Sequence, residues 1–418
     1  MPGAETPGFP LTGALRLAGS SLGWLGRIGL DGIGERGETA LPRTPAQISD
    51  CETLNRLLSA GRPMGGVALP AVSGVNLPGV DFESSNCTNF LLEVDFADED
   101  AGKTLPRSVY VKLPCPEMAT RVFGNTLGFW ELETHFCTHV ASQMPIRTPR
   151  VYAAARRGAR FVLVLENLSD EPGVELFTNR EVAAGTTIER ARLVLKTLAR
   201  LHAHFGDWSA TDREHLLPAS FNTYTARRWR SLTHALNVLS LAPAHRAAPD
   251  LITERIVDTC RMALGRWDDV LRAWYAGPLT LVHGDSHLGN CFAYTDEDED
   301  EDETHVGMLD FQAVHWSKGM RDVQYFLINS LESELLASAE DDLIRFYCEQ
   351  LAELGVSLSF ADAHAQYRAF TYQTLMVGLV PLGLGALTER ETTVRTFARR
   401  SALAVERLGF REWVEDLG

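Results

Sequence analysis

Apolar and polar positions alternate along NFLLEVDF (89–96), and SVYVKL (108–113) is short and rich in β-branched residues; both patterns predict strands. VALPAV (67–72), PRVYAAA (149–155) and RFVLVLENL (160–168) predict further strands. Between them, FGNTLGFWELETHF (123–136) changes period: Phe129, Leu132, Phe136 and Val140 fall on one stripe at helical spacing. Residues 65–168 thus read as a small mixed sheet with one helix inserted. After residue 186 the period is almost entirely helical. TTIERARLVLKTLARLHAHF sets Ile188, Ala191, Leu195, Leu198, His202 and Phe205 on one face. The strand signals in this half are LTLVHG (279–284), CFAY (291–294) and HVGMLDF (305–311).

The first clear helix start is Thr44-Pro45-Ala46-Gln47, with Thr44 placed to cap, Pro45 suited to the first helical position and Gln47 completing a capping-box pattern. Residues 1–43 are rich in glycine and weakly periodic, and read as a tail or extension. The expected division is therefore 1–43 extension, 44–168 small lobe and 169–418 large lobe, within an α+β, bilobal fold. No internal repeat is present.

Charge changes the picture little. The chain has 418 residues and a net charge of −16, which argues against nucleic-acid binding through a basic face. Half of that charge is the unbroken acidic run Asp296–Glu303, which reads as a solvated hairpin loop because like charges repel and do not pack. The seven cysteines are odd in number, scattered and never spaced C-x-x-C, which points to thiols in a reducing compartment. The longest apolar run, TLMVGLVPLGLGAL (374–387), is short and broken by Pro381, so it reads as a buried helix and turn. Residues 11–30 are too polar and glycine-rich for the core of a secretory signal. A cytoplasmic protein with no membrane partner is the expectation.

The candidate chemistry lies in the order of several polar groups. Lysine is scarce, four against 35 arginines, yet Lys112 sits in the strand V-Y-V-K. A lysine kept there suggests a compact point charge where a planar fork would not serve; the plain alternative is an edge-strand lysine facing water. Glu133 follows on the inserted helix. VLVLENL then ends in a Glu-Asn turn, LVHGDSHLGNCF carries Asp285 and Asn290, and MLDF carries Asp310. Lysine on a strand, glutamate on the next helix, Asp-x4-Asn and a last aspartate make the parts list for phosphoryl transfer from ATP. Mg²⁺ needs hard oxygen ligands, few of them from protein, and a hydroxyl nucleophile needs a base within hydrogen-bond reach.

LVHGDSHLGNCF followed by MLDFQAV and WSKGMRDVQYFL resembles the aminoglycoside phosphotransferase/choline kinase-like superfamily, nearest its ecdysteroid kinase-like (CHK) branch. The likeness runs from Pro42 to about residue 405. It includes Glu133 and Phe136 of an E-x-x-F helix and Leu198, Leu201, His202 and Ala203 of an L-x-x-L-H-A helix. The resemblance implies a protein-kinase-like fold with a nucleotide-binding small lobe. It implies Asp285 as catalytic base, Asn290 and Asp310 as magnesium ligands, and Lys112 and Glu133 as an ion pair. The backbone of Glu166, Asn167 and Leu168 would meet adenine, His283 would brace the catalytic loop, and Asp322 matches a structural aspartate. The implied cofactors are ATP and Mg²⁺, and the partner is a small-molecule hydroxyl acceptor. The sequence departs from the protein-kinase pattern in lacking a clean G-x-G-x-x-G; within 73–86 only Gly74 and Gly79 remain, with Ser84, Ser85 and Asn86 as candidate phosphate donors. Two other readings stand beside this one. His283, Asp285 and His287 form H-x-D-x-H, a possible metallohydrolase site, and a catalytically dead kinase fold would act as a binding module.

Overall fold

The computed structural model describes residues 10–34, 40–61, 66, 69–79, 81–82, 87–97, 105–295, 303–385 and 391–417. It divides into two compact units: a smaller one of Ala18–Leu176 with Leu309–Ala313, and a larger one of Met1–Leu17, Phe177–Met308 and Val314–Gly418. The smaller holds a sheet and the larger is mostly helical, an α+β fold of two lobes.

The chain begins with helix α1 (Leu11–Gly34), followed by α2 (Pro45–Ile48) and α3 (Cys51–Ala60). The weak period of residues 1–43 did not predict α1, because glycines at 13, 19, 23, 26 and 29 lower its helical propensity. One of them has a packing reason: a Cβ on Gly13 would collide with the backbone oxygen of Ser231. The capping box expected at Thr44 does not form. Thr44 makes no side-chain cap, and the Gln47 amide oxygen accepts instead from the backbone N–H of Arg43, at 2.6 Å. Asp50 caps α3, accepting from the Thr53 backbone N–H.

The sheet of the smaller unit comprises β1 (Val72–Asn76), β2 (Asp81–Phe82), β3 (Cys87–Phe96), β4 (Ser108–Pro114), β5 (Val151–Arg157) and β6 (Arg160–Glu166). Its order is β1-β3-β4-β6-β5, with β2 also on β3. Every pairing is antiparallel. The reason is local: β5 and β6 form a hairpin closed by a two-residue turn, with Gly158 at a φ of 58° that favours glycine. Of the strand expected at 67–72, residues 67 and 68 lie outside the described residues, and β1 begins at Val72.

Parity along the strands sets the faces. Val109, Val111 and Leu113 join Phe90, Leu92, Val94, Val162 and Val164 in a core that includes Leu54 and Leu57 of α3. Tyr110 and Lys112 therefore point to the opposite face. The inserted helix is two helices, α4 (Met118–Leu127) and α5 (Phe129–His135), broken at Gly128 with φ 75°. A π-helical turn over Phe136–Val140 follows. Leu132, Phe136 and Val140 are buried as their stripe predicts. A short strand, β7 (Glu175–Leu176), ends the segment.

The larger unit carries α6 (Asn179–Ala184), α7 (Ile188–Gly206), α8 (Ala210–Leu216), α9 (Arg230–Ala247), α10 (Glu254–Gly265) and α11 (Trp267–Tyr275). Strands β8 (Thr280–Val282), β9 (Cys291–Thr295), β10 (Thr304–Met308) and β11 (His315–Ser317) follow. Then come α12 (Met320–Ser330), α13 (Ser333–Glu353), α14 (Phe360–Ala369), α15 (Thr371–Leu384), α16 (Glu391–Arg407) and α17 (Phe410–Glu415). Along α7, Ala191, Leu195, Leu198, His202 and Phe205 are buried. β9 and β10 pair antiparallel, Thr295 opposite Thr304, so the acidic run connects a hairpin; residues 296–302 of that run lie outside the described residues. The run 374–387 forms most of α15, with Pro381 inside the helix. Among the described residues, no helix is long and apolar enough to cross a membrane.

Candidate active site

Two constellations of polar residues stand out, one in each unit. In the smaller unit, β4 is an inner strand, flanked by β3 and β6, so Lys112 is not the edge-strand lysine of the plain reading. It is 6% exposed. Its Nζ lies 2.5 Å from Glu133 Oε1 and 3.3 Å from Asp310 Oδ1. Glu133 comes from α5, and Asp310 from the Leu309–Ala313 segment that completes this unit. Burial works against the charge on Lys112, but Asp310 and Glu133 outweigh it and hold its pKa above the ordinary lysine range. Burial pushes the Glu133 carboxyl up, while the ammonium beside it favours the ionised form. These two tendencies on Glu133 oppose each other; the direct contact with a charged lysine favours the ion pair.

Asp310 has a backbone φ of 65°, the one positive value outside glycine among the described residues. Asp and Asn tolerate this region better than other side chains. Its neighbour Phe311 stacks on Phe136, ring centroids 4.0 Å apart and planes within 6°. Glu133 and Phe136, one helical turn apart, thus hold Lys112 and the Asp310 segment respectively.

The end of β6 is tied down by its side chains. Glu166 is buried, accepting from Arg147 Nη2 at 2.6 Å and from the Arg150 backbone N–H at 2.8 Å. The Asn167 amide donates to Ser108 Oγ at 2.8 Å, and that hydroxyl donates to Asp170 at 2.7 Å. Leu168 is buried and opens a 3₁₀ turn over Leu168–Asp170. These side chains are engaged in structure, so backbone is what this turn can present to a ligand. Ser84, Ser85 and Asn86, the candidate phosphate donors, lie outside the described residues.

In the larger unit, β8 leads into His283-Gly284-Asp285. Gly284 has φ 83°, which a side chain would strain. Asp322, at the start of α12 and fully buried, holds this loop: its two oxygens accept from the backbone N–H groups of His283 at 2.6 Å and Gly284 at 2.9 Å. Its backbone oxygen accepts from Ser286 Oγ at 3.0 Å. His202 of α7 lies 3.3 Å from Asp322 through Nε2 and 2.8 Å from the Tyr347 hydroxyl through Nδ1. Burial raises the Asp322 carboxyl, but His202, Arg321 and His283 more than offset this and hold it well below the usual carboxylate range.

The Asp285 side chain is 21% exposed. Burial again raises its carboxyl, and His287, the Tyr325 hydroxyl, His283 and Arg321 together lower it on balance. The carboxylate is thus ionised at neutral pH and able to take a proton. Asn290 Nδ2 donates to the Asp285 backbone oxygen at 2.8 Å, which fixes the amide and leaves its oxygen to serve a cation. Asn290 in the larger unit and Asp310 in the smaller each carry a hard oxygen of the kind that Mg²⁺ takes.

The H-x-D-x-H alternative fares less well. His283 is fully buried and its Nδ1 accepts from the Asp285 backbone N–H at 3.2 Å. His287 Nε2 is 3.9 Å from the Asp285 carboxylate. Among the described residues, no three His, Cys, Asp or Glu side chains gather to hold a metal. Thiol chemistry is also disfavoured: burial pushes Cys87, Cys137 and Cys291 well above the range of a reactive thiolate.

Sequence reasoning missed Tyr325, whose hydroxyl donates to Asp285 Oδ1 at 2.7 Å. The available signal was its place three residues after Asp322, on the same helical face. It also missed Arg147 and Ser108, which no motif marks.

A profile of the ecdysteroid kinase-like family matches residues 92–360, well over half of the chain. The protein therefore belongs to the ecdysteroid kinase-like family. No curated protein matches it in sequence. Solved structures with a similar arrangement include a choline kinase from Cryptosporidium parvum Iowa II, at 12% identity and a TM-score of 0.49, covering 82% of this chain and 94% of the other. A Plasmodium vivax ethanolamine kinase gives 13% and 0.44, covering 76% and 80%. The GDP complex of wild-type aminoglycoside 2′-phosphotransferase-IIIa gives 14% and 0.44, covering 80% and 94%.

Two predictions follow from the geometry. Lys112→Met leaves Glu133 buried without its cation, and the loss is expected at about 3–5 kcal/mol. The double variant Lys112→Met, Glu133→Leu should recover much of it, because an apolar pair often replaces a buried ion pair at little cost. Urea unfolding of the three proteins reads this; equal instability of single and double variants would show that the pair is not the source. For Asp322, the folded pKa lies below the unfolded one, so its stabilisation is present above about pH 4 and is lost as pH falls through the folded value. Asp322→Asn should lower stability by about 2 kcal/mol or more at pH 7. It should also flatten the fall in urea midpoint below pH 4; an unchanged acid slope would assign that slope to other groups.

Proposed function

We propose that the protein is a small-molecule kinase that transfers the γ-phosphoryl group of ATP to a hydroxyl of its acceptor. The observation that carries this reading is Lys112, a buried cation held by Glu133 and by Asp310, together with an ionised Asp285 in a loop anchored by Asp322. Lys112 neutralises nucleotide phosphates as a compact point charge. The backbone of Glu166, Asn167 and Leu168 meets the adenine. Ser84, Ser85 and Asn86 are proposed to add phosphate contacts. Asp285 orients the acceptor hydroxyl and takes its proton while the acceptor oxygen bonds to phosphorus and the bond to ADP breaks. Asn290 and Asp310 would hold Mg²⁺, which when bound neutralises charge on the β- and γ-phosphates. We place the protein in the cytoplasm, a setting that suits seven cysteines without a disulfide.

The test separates the two aspartates. Asp285→Asn should cost ~10²–10⁴ in kcat with nucleotide affinity kept. Asp310→Asn keeps a residue suited to the left-handed backbone, so its effect reports the lost charge. It should cost at least as much in kcat and also weaken Mg²⁺-dependent nucleotide binding. Magnesium titrations of ATP affinity and of ATP turnover, run over a panel of alcohols, give both numbers. A native protein that binds ATP without turnover would be a binding module. Equal shifts of the magnesium midpoint in both variants would move Asp285 onto the metal.

A further inference from the structure

The Asp285 carboxylate has two oxygens with different surroundings. Oδ1 accepts from the Tyr325 hydroxyl at 2.7 Å. Among the described residues, Oδ2 has no hydrogen-bond partner. Tyr325 is itself fully buried on α12, and its ring lies under the Arg321 guanidinium, 4.5 Å from the ring centroid. Arg321 is 3% exposed. Asp322, between Arg321 and Tyr325 in sequence, accepts from the backbone N–H groups at the start of the same loop. One turn of α12 therefore fixes both the backbone and the carboxylate of the His283–Asp285 segment.

We infer that Tyr325 is a positioning residue for Asp285: it occupies Oδ1, locks the carboxylate rotamer and leaves Oδ2 as the oxygen that receives the acceptor proton. The inference rests on the kinase reading for its catalytic consequence, and on geometry alone for the locked rotamer. A carboxylate on a short side chain has a broad terminal torsion and does not hold one orientation unaided. A single charge-assisted hydrogen bond from a rigid, buried phenol removes that freedom. The bond makes no contact with the nucleotide, so its loss should appear in the chemical step and not in ATP binding.

Tyr325→Phe keeps the ring, its packing and the arginine above it, and deletes only the hydroxyl. Crystal structures of the native protein and the variant at one pH read the Asp285 rotamer. Magnesium-dependent ATP turnover, with water or an active alcohol as acceptor, reads kcat and KM. The expected result is more than one Asp285 rotamer in the variant, kcat lower by roughly tenfold to a hundredfold, KM for ATP unchanged and an unchanged melting temperature. A single, unmoved Asp285 rotamer overturns the inference whatever the kinetics. So does a kcat within twofold of native, or a rise in KM that accounts for the loss. If the native protein turns over no ATP, the kinase reading fails while the crystallographic comparison still decides whether Tyr325 sets the carboxylate.

Discussion

A lysine ammonium taken out of water is costly unless opposite charge comes with it. Lys112 meets that condition twice, with Glu133 at 2.5 Å and Asp310 at 3.3 Å. The two carboxylates reach it from separate parts of the chain, 21 and 198 residues away. The smaller unit is therefore not electrostatically complete within its own continuous sequence. Its last carboxylate arrives on Leu309–Ala313, after most of the larger unit has been traversed. Strand parity creates the requirement: the apolar residues of β4 face α3, which leaves Lys112 on the opposite side, where α5 lies near β5 and β6 and Trp130 packs on Phe161 at 5.1 Å. A charge on that face needs partners supplied by helix and segment, and the sequence supplies them.

Much of this was legible. Lys112, Glu133, Asp285, Asn290 and Asp310 carry chemistry that few other residue types replace, so their order alone suggested a phosphoryl-transfer set, and the structure brings Lys112, Glu133 and Asp310 together. Helix periods after residue 186 were also clear, since each amphipathic stripe repeats many times. Other features were hidden for physical reasons. Helix α1 runs through seven glycines, and propensity speaks against it. Thr44 looked like a cap, but the Gln47 side chain reaches the Arg43 N–H and the hydroxyl makes no cap bond, a competition that spacing cannot rank. Tyr325 is an ordinary aromatic in a buried helix until its hydroxyl is seen against Asp285.

The end of β6 shows how the polar side chains of a motif can be taken up in structure. Glu166 and Asn167 read as a turn that meets a ligand, yet their side chains bind Arg147, Arg150 and Ser108. Their chemistry makes the turn rigid, and rigidity is what a backbone contact needs, since an ordered turn loses little entropy when a ligand arrives. Asp322 does the same for His283 and Gly284. In each case the conspicuous polar side chain acts on the backbone beside it, and the ligand would meet what that side chain has fixed.

The segment around Asp310 joins these ideas. A left-handed backbone at a residue other than glycine costs on the order of 1 kcal/mol, and it persists here because contacts on both sides hold it. The turn lets two consecutive side chains reach two residues one helical turn apart: Asp310 meets the Lys112–Glu133 pair, and Phe311 stacks on Phe136. The stack contributes on the order of 1 kcal/mol beyond its burial, comparable to the strain it opposes. Glu133 and Phe136 therefore act as one device. The first, in regular helix, sets the lysine; the second, where the π-helical turn begins, sets the segment that carries the opposing carboxylate.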